Sequence, residues 1–290
     1  MRGRIIKGVG GLYYVHVGDD RVYACRARGI FRKKKIRPNV GDYVDIEILS
    51  EQDMEGSITV IHKRRNSLIR PMVANVDQAL VVFAFHEPEP NYHLLNTFLV
   101  MMEQQKVPVI LCFNKSDLST SEERDYVRES FQGSGARIHI VSALTEDTGT
   151  MAGLLRGRTT VLAGPSGVGK SSLLNSFSGK LKMETGAVSE KIKRGKHTTR
   201  HSELIYIGDD SYLVDTPGFS SLELTDMEKE DLKQYFPEFS SCGPCRFLDC
   251  QHISEPDCGV KQAVEEGKIS RLRYDDYCFL FENLSARRKW

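Results

Sequence analysis

Two short stretches of this chain carry residue types and spacings that could do chemistry. "GPSGVGKS" at 164–171 fits the pattern G-x-x-x-x-G-K-[ST] of a phosphate-binding loop. Gly164 and Gly169 let the backbone curl so that successive N–H groups point at phosphate oxygens, aided by the positive N-terminus of the helix that "KSSLLNSF" should open. The loop runs through Gly164, Pro165, Ser166, Gly167, Val168, Gly169, Lys170, Ser171 and Ser172. Lys170 is placed to bridge β- and γ-phosphates, and the Ser171 hydroxyl to ligate magnesium. The second stretch, "NKSD", holds Asn114, Lys115, Ser116 and Asp117 at the end of an apolar run. A carboxylate at Asp117 would accept two hydrogen bonds from guanine N1 and N2. Adenine lacks that donor pair and would leave the carboxylate unpaired. Asn114 and Lys115 would brace the loop and flank the base. Ser142 and Ala143, ending "IHIVSA", match a short loop that contacts the guanine oxygen through its backbone.

Downstream, "SYLVDTPGF" at 211–219 reads as a strand ending in Asp-x-x-Gly. Asp215 would hold magnesium through water, and the Gly218 N–H would sense the γ-phosphate. Between the phosphate loop and that strand, "RGKHTTRH" at 194–201 offers Thr198 and Thr199. Thr199 is the favoured one to close over magnesium, in a switch that orders with GTP and relaxes on hydrolysis. Asn-Lys-x-Asp alone is a weak pattern. Here five elements follow in the order base, base support, phosphate, first switch, second switch, which is the ordinary order of a GTP-binding domain rotated. The chain therefore reads as a circular permutant, in which the second switch runs straight into the C-terminal region. Many GTPases carry a glutamine after Asp-x-x-Gly to orient water, but Phe219 stands there and cannot hydrogen-bond. Intrinsic hydrolysis should be slow. His197, in the first switch, is the best internal candidate to orient or polarise water; its competing role is a phosphate or RNA contact.

The elements that must position these residues follow from patterning. Among the first 66 residues, short alternating segments ("RIIKGVGGLYYVHV", "RVYACRAR", "YVDIEIL", "GSITVIHKR") are separated by Gly/Asp turns. Period-2 patterning without a helical stretch predicts a five-stranded oligonucleotide-binding barrel. From 67 to 222, buried-strand runs ("QALVVFAF", "VPVILCF", "RIHIVSA", "TTVLAG") alternate with helical segments, as in a mainly parallel α/β sheet. Leu94, Leu95, Phe98, Leu99 and Met102 have the spacing of a helix packed on that sheet. From 223 to 290 come acidic helical segments, a Cys/His cluster and a final helix ending "ARRKW". The expected domains are 1–66, 67–222 and 223–290: barrel, P-loop GTPase domain and mainly α metal-binding tail.

With 290 residues, 40% hydrophobic and 27% charged, the chain should fold as a soluble multidomain protein. Its longest apolar run, "LVVFAF", falls far short of the roughly 20 residues that span a bilayer, and the N-terminus lacks a signal-like segment. A cytoplasmic monomer without a membrane partner is expected. Residues 1–70 hold 15 Lys/Arg against 8 Asp/Glu, although the whole chain is only +1. That asymmetry suits a polyanion partner as well as a solvated basic face.

Together "NKSD", "GPSGVGKSS", "GKHTTRH", "DTPGF" and "CRFLDCQHISEPDC" resemble the circularly permuted GTPases of the ribosome small-subunit-dependent GTPase A family, across essentially the whole chain. The resemblance implies GTP/GDP binding, hydrolysis stimulated by the small ribosomal subunit, contact with its rRNA, and a role in late subunit maturation coupled to release. It supports His197 as catalytic, since the family carries a His at the matching place. By spacing alone, Cys242, Cys245, Cys250, His252 and Cys258 are five potential ligands for a tetrahedral ion. The family pattern C-x4-C-x-H-x5-C implies Cys245, Cys250, His252 and Cys258 around one structural zinc, with Cys242 a spare thiol. Cys25, Cys112 and Cys278 read as isolated thiols. Tyr274, Tyr277 and Phe281 read as packing, and Arg287, Arg288 and Lys289 as a possible RNA contact. Two rival classes stay open at this level: a P-loop small-molecule kinase, opposed by "NKSD", and an RNA-binding protein whose nucleotide only stabilises the fold.

Overall fold

The computed structural model describes residues 1–18, 21–33, 35–69, 71–144, 149–178, 202–215, 224 and 227–286. Along the chain run β1 (Arg2–Val9), β2 (Leu12–Val17), β3 (Arg21–Ala27), α1 (Gly29–Lys33), β4 (Tyr43–Ser50), β5 (Glu55–Ile61), β6 (Gln78–Ala84), α2 (Tyr92–Gln104), β7 (Val109–Asn114), α3 (Ser121–Phe131) and β8 (Arg137–Ile140). They are followed by α4 (Gly149–Leu155), β9 (Thr159–Ala163), α5 (Lys170–Ser178), β10 (Leu204–Tyr206), β11 (Tyr212–Asp215), α6 (Gly259–Glu265) and α7 (Arg271–Ala286). These elements fall into two compact units. One comprises Met1–Gln78, Asp147–Ala163 and Ser171–Pro217; the other comprises Ala79–Glu146, Gly164–Lys170 and Gly218–Trp290.

The first unit begins with a closed barrel of order β1-β2-β3-β5-β4, in which β3 and β5 run parallel and all other neighbours antiparallel. Alternation sends Ile5, Val15, Tyr23, Cys25, Val44, Ile46 and Ile58 inward to form its core. Gly10 and Gly11, at φ 58° and 82°, make the two-residue turn that pairs Val9 with Leu12, a geometry that favours glycine at both positions. The period-2 reading left no place for a helix here, and α1 corrects it. Phe31 alone anchors α1 in the barrel core, while Ile30, Arg32 and Lys33 stay exposed. One anchor in a five-residue helix leaves no periodic trace.

The same unit contains strands in the order β10-β11-β9, the first pair antiparallel and the second parallel. The barrel rests on β11 and on the chain just before β10. Lys7 pairs with Glu203 at 3.1 Å, and His16 Nδ1 meets the Tyr212 hydroxyl at 2.9 Å. The buried Arg4 guanidinium lies between the rings of Tyr43 and Tyr212, 4.8 and 4.6 Å from their centres.

In the second unit, β6, β7 and β8 are successive parallel neighbours. Every residue of β6 and β7 is buried, as their continuous apolar runs require. On α2, Leu95, Phe98, Leu99 and Met102 are buried and Leu94 is half-buried. α3 starts at a capping box: the Thr120 side chain accepts from the Glu123 N–H, and the Glu123 carboxylate accepts from the Thr120 N–H. The C-terminal part is built from 3₁₀ turns at Lys229–Tyr235 and Pro237–Ser241 followed by α6 and α7. Barrel, α/β portion and mainly helical tail reproduce the fold class expected from the sequence.

Candidate functional site

The base loop grows directly out of a buried strand. Asn114, 2% exposed, ends β7, so its amide enters the protein rather than solvent. Its Oδ1 accepts the Ala143 N–H at 3.0 Å, and its Nδ2 donates to the Val168 carbonyl at 2.9 Å. One side chain thus uses both polar ends to join the base loop, the Ser-Ala loop and the phosphate loop. Ser116 is buried and its N–H donates to the Val141 carbonyl, which seats the short 3₁₀ turn Ser116–Leu118 beside β8. Asp117, in the middle of that turn, projects an exposed carboxylate. Lys115 adopts a left-handed backbone, φ 60°, and its Nζ donates to the Glu87 carbonyl. Ser142 is buried beside Ala143.

The phosphate loop is shaped by what its glycines touch. A Cβ on Gly169 would come within 2.2 Å of Asn114 Nδ2, and one on Gly164 within 2.1 Å of the Val82 carbonyl oxygen. Both have positive φ, 91° and 142°. Neither position tolerates a side chain, so the curl and the junction at Asn114 both require these glycines. Ser166 and Gly167 are exposed, Pro165 is half-buried and Val168 is buried. Lys170 Nζ donates to the carbonyls of Gly164 and Pro165 at 2.7 and 2.6 Å, which holds the ammonium over the loop. Ser171, half-buried, and Ser172, exposed, lie in the first turn of α5. Asp215 ends β11 in register with Leu162 of β9, the strand that feeds the phosphate loop. His197, Thr198, Thr199, Gly218 and Phe219 lie outside the described residues, as do Arg287, Arg288 and Lys289.

Near the C-terminus, one ligand atom each from Cys245, Cys250, His252 and Cys258 lies within 4.8 Å of every other, so the four could hold a metal ion. His252 Nδ1 is 3.6 Å from Cys245 Sγ and 3.3 Å from Cys258 Sγ, and those two sulfurs are 3.9 Å apart. A tetrahedral ion with metal–sulfur bonds of about 2.3 Å would space its ligands by about 3.8 Å, so the set fits. Cys242 stands outside it, with its thiol directed at the Glu238 carbonyl. The surrounding chain stiffens the knuckle. Tyr274 and Tyr277 hydroxyls donate to the His252 and Gln251 carbonyls at 2.7 and 2.6 Å, and Glu255 accepts the N–H groups of Gln251 and Ile253. Tyr274 and Tyr277 are buried and Phe281 half-buried, in keeping with packing. Burial pushes the thiols of Cys25 and Cys112 up, to about 11 and about 12, so both stay protonated and unreactive.

Sequence reasoning missed the groups that anchor this region. Arg273, 1% exposed, donates to Glu238 at 2.7 and 3.2 Å and to Asn96 of α2 at 2.7 Å. Asp276 adds bonds to Asn96 and to His93, the latter at 3.0 Å. A lone arginine in a segment of mixed aromatic and basic residues gave no signal for it.

A base loop, its supporting loop and a phosphate loop meeting at one asparagine, with the base elements first in the chain, define a circularly permuted GTPase. Residues 61–225 match the family described as RsgA GTPase, and residues 2–58 match the RsgA N-terminal domain. The chain belongs to the RsgA GTPase family. It is 51% identical to "Small ribosomal subunit biogenesis GTPase RsgA" of Agathobacter rectalis, covering 100% of both chains. A Clostridium botulinum protein of that name is 49% identical over 100% of this chain and 99% of its own. Among solved structures, YjeQ from Thermotoga maritima superposes with a TM-score of 0.82 at 35% identity, covering 99% of each chain. YloQ, described as a circularly permuted GTPase, gives 0.79 at 40% identity, covering 100% of this chain and 96% of the other.

Proposed function

We propose that this protein binds the small ribosomal subunit and its rRNA, hydrolyses GTP there during late subunit maturation, and uses hydrolysis to leave. The observation that carries the reading is the three-loop junction at Asn114, in a chain whose full-length relatives are named for small-subunit biogenesis. On this reading residues 1–66 form the RNA-binding barrel, 67–222 the GTPase domain and 223–290 the metal-binding domain.

Asp117 reads the guanine edge, with Asn114, Lys115 and Ser116 holding its loop and Ser142 and Ala143 presenting backbone to the guanine oxygen. The loop residues Gly164 to Gly169 offer N–H groups to the phosphates, and Lys170 exchanges its loop carbonyls for phosphate oxygens when GTP arrives. Ser171 and Asp215 are the residues placed to hold magnesium, the first directly and the second through water. Held by those two residues, magnesium would supply positive charge against the terminal phosphates. Thr199 and Gly218 report the γ-phosphate, Ser172 supports the first turn of the helix, and His197 orients water. The Cys245, Cys250, His252 and Cys258 set takes one structural zinc ion that stabilises the tail. Among the described residues no helix is long and apolar enough to cross a membrane, and a cytoplasmic monomer fits this role.

Phosphate release from GTP and from ATP, with and without purified small or large ribosomal subunits at matched magnesium, tests the proposal. Slow turnover of GTP alone, raised strongly by small subunits only, is expected. Equal use of ATP would point to a kinase-like site, and indifference to the small subunit would remove it as the activator.

A further inference from the structure

The segment after β6, "HEPEP" at 86–90, has no part in the motifs, yet it touches two of them. Pro88 Cδ would lie 3.4 Å from a Cβ on Gly167, so the segment packs against the phosphate loop backbone. The Glu87 carbonyl accepts the Lys115 ammonium. Glu87 and Lys115 both have left-handed backbones, φ 52° and 60°. Two non-glycine residues in that region, bonded to each other, need surroundings that hold them there.

His86 supplies that hold. Its Nδ1 is 2.9 Å from Glu89 Oε1, and its Nε2 is 3.2 and 3.3 Å from the two carboxylate oxygens of Glu123. Glu123 is the capping-box residue of α3, the helix that starts immediately after the base loop. His86 therefore ties the segment on the phosphate loop to the helix behind the base loop. Both ring nitrogens face carboxylates, so both bonds form only when both nitrogens carry protons; a neutral ring turns one lone pair toward a carboxylate.

We propose that His86 is a positioning residue for guanine-nucleotide binding: as an imidazolium bridging Glu89 and Glu123, it fixes the 86–90 segment and so the spacing between phosphate loop and base loop. The groups facing it are Glu89 on its own segment and Glu123 on α3. Tyr92 of α2 lies near both, but burial pushes its phenol up to about 12, so it stays neutral. Arg124 turns away to the carbonyls of Ser116 and Ser119. The bonds to Glu89 and Glu123 raise the His86 pKa above its ordinary value. The sign follows: the contribution is fully present below the ordinary histidine pKa of about 6.5 and is lost as pH rises through the raised value.

The inference rests on the guanine-site reading and is tested with the full-length protein and a fluorescent GDP analogue between pH 5.5 and 9. Both carboxylates are partly exposed, so the effect is modest: His86→Ala should weaken GDP about threefold to fivefold at the acid end. The wild-type to variant affinity ratio should fall to one at the alkaline end, which cancels titration of the ligand. His86→Arg, with permanent charge, should restore affinity and hold it across the range. KM for GTP should rise in His86→Ala with kcat unchanged, since His86 touches no reacting atom. Should His86→Ala not fold, Glu89→Gln at an exposed position should give about half the pH-dependent change. A ratio of one at every pH, or a ratio independent of pH, overturns the proposal. Absence of GDP binding by the wild type would instead overturn the guanine-site reading itself.

Discussion

The guanine site and the metal knuckle are held by opposite means. Asn114 reaches partners 29 and 54 residues away, and Gly169 must lack a side chain because that distant asparagine fills its space. In the knuckle, the outermost ligand candidates, Cys245 and Cys258, are 13 residues apart. The first site exists only when β7, β8 and the phosphate loop have assembled, so it inherits the cooperativity of its unit. The second carries its organisation in donor atoms a few residues apart, a spacing that one cation could bridge directly. A change at the knuckle should therefore act locally, and a change at the junction should reach everything that meets there.

The largest effect should come from the metal. Apparent binding free energies of structural zinc are on the order of 10 kcal/mol, more than such a region can replace by packing. Cys258→Ser, or treatment of the wild type with a strong chelator, should release one zinc per chain. It should also abolish the near-ultraviolet signal of the Phe236, Phe239 and Tyr277 cluster, with GDP affinity changed by less than about threefold. Simultaneous loss of GDP binding would show that the knuckle is not autonomous.

Next comes the anchor between knuckle and α2. Arg273 and Glu238 are 1% and 7% exposed, so Arg273→Met leaves a buried carboxylate without its partner, at a cost of about 3–5 kcal/mol in urea unfolding. Replacing both, Arg273→Met with Glu238→Leu, should recover most of that loss, because the pair's desolvation offsets much of its attraction. An anchor this buried also bears on the permuted order, in which a change in the second switch on GTP hydrolysis could pull on the C-terminal region that follows it directly. A switch segment that runs directly into the tail can move it only by breaking the Arg273 and Asp276 bonds or by carrying α2 along. If the double variant is as unstable as the single one, the loss does not come from stranding the Glu238 carboxylate.

At the junction itself, Asn114→Ala would strand two backbone groups, the buried Val168 carbonyl and the half-buried Ala143 N–H. At about 1–3 kcal/mol for each unpaired group, destabilisation of roughly 2–6 kcal/mol is expected, with GDP affinity reduced more than about tenfold. Stability lost without affinity would mean that the loops find their spacing without Asn114.

What the sequence made legible divides along the same line. The loops were readable because phosphate and guanine recognition constrain residue types at fixed spacing, and β6 and β7 because a buried parallel strand must be apolar throughout. Spacing left five ligand candidates open; the geometry that separates Cys242 from the others is the turn of its thiol to the Glu238 carbonyl. The contacts of Arg273 with Glu238 and Asn96, and those of His86 with Glu123, join positions 35, 177 and 37 residues apart and leave no local period to find. α1 escaped for a related reason, since one buried Phe31 makes no pattern.

The smallest effect tests whether any of the guanine site is local. Thr120 caps α3 directly after the base loop, and its reciprocal bonds with Glu123 span only three residues. Thr120→Ala should cost about 1 kcal/mol of stability, and Thr120→Ser should be near neutral. GDP dissociation should quicken by less than about twofold, because the turn carrying Asp117 is seated by the Ser116 to Val141 bond and by Asn114 rather than by the helix cap. A dissociation rate raised tenfold would place the base loop under control of its own helix. The contrast with the self-contained knuckle would then narrow to the phosphate loop alone.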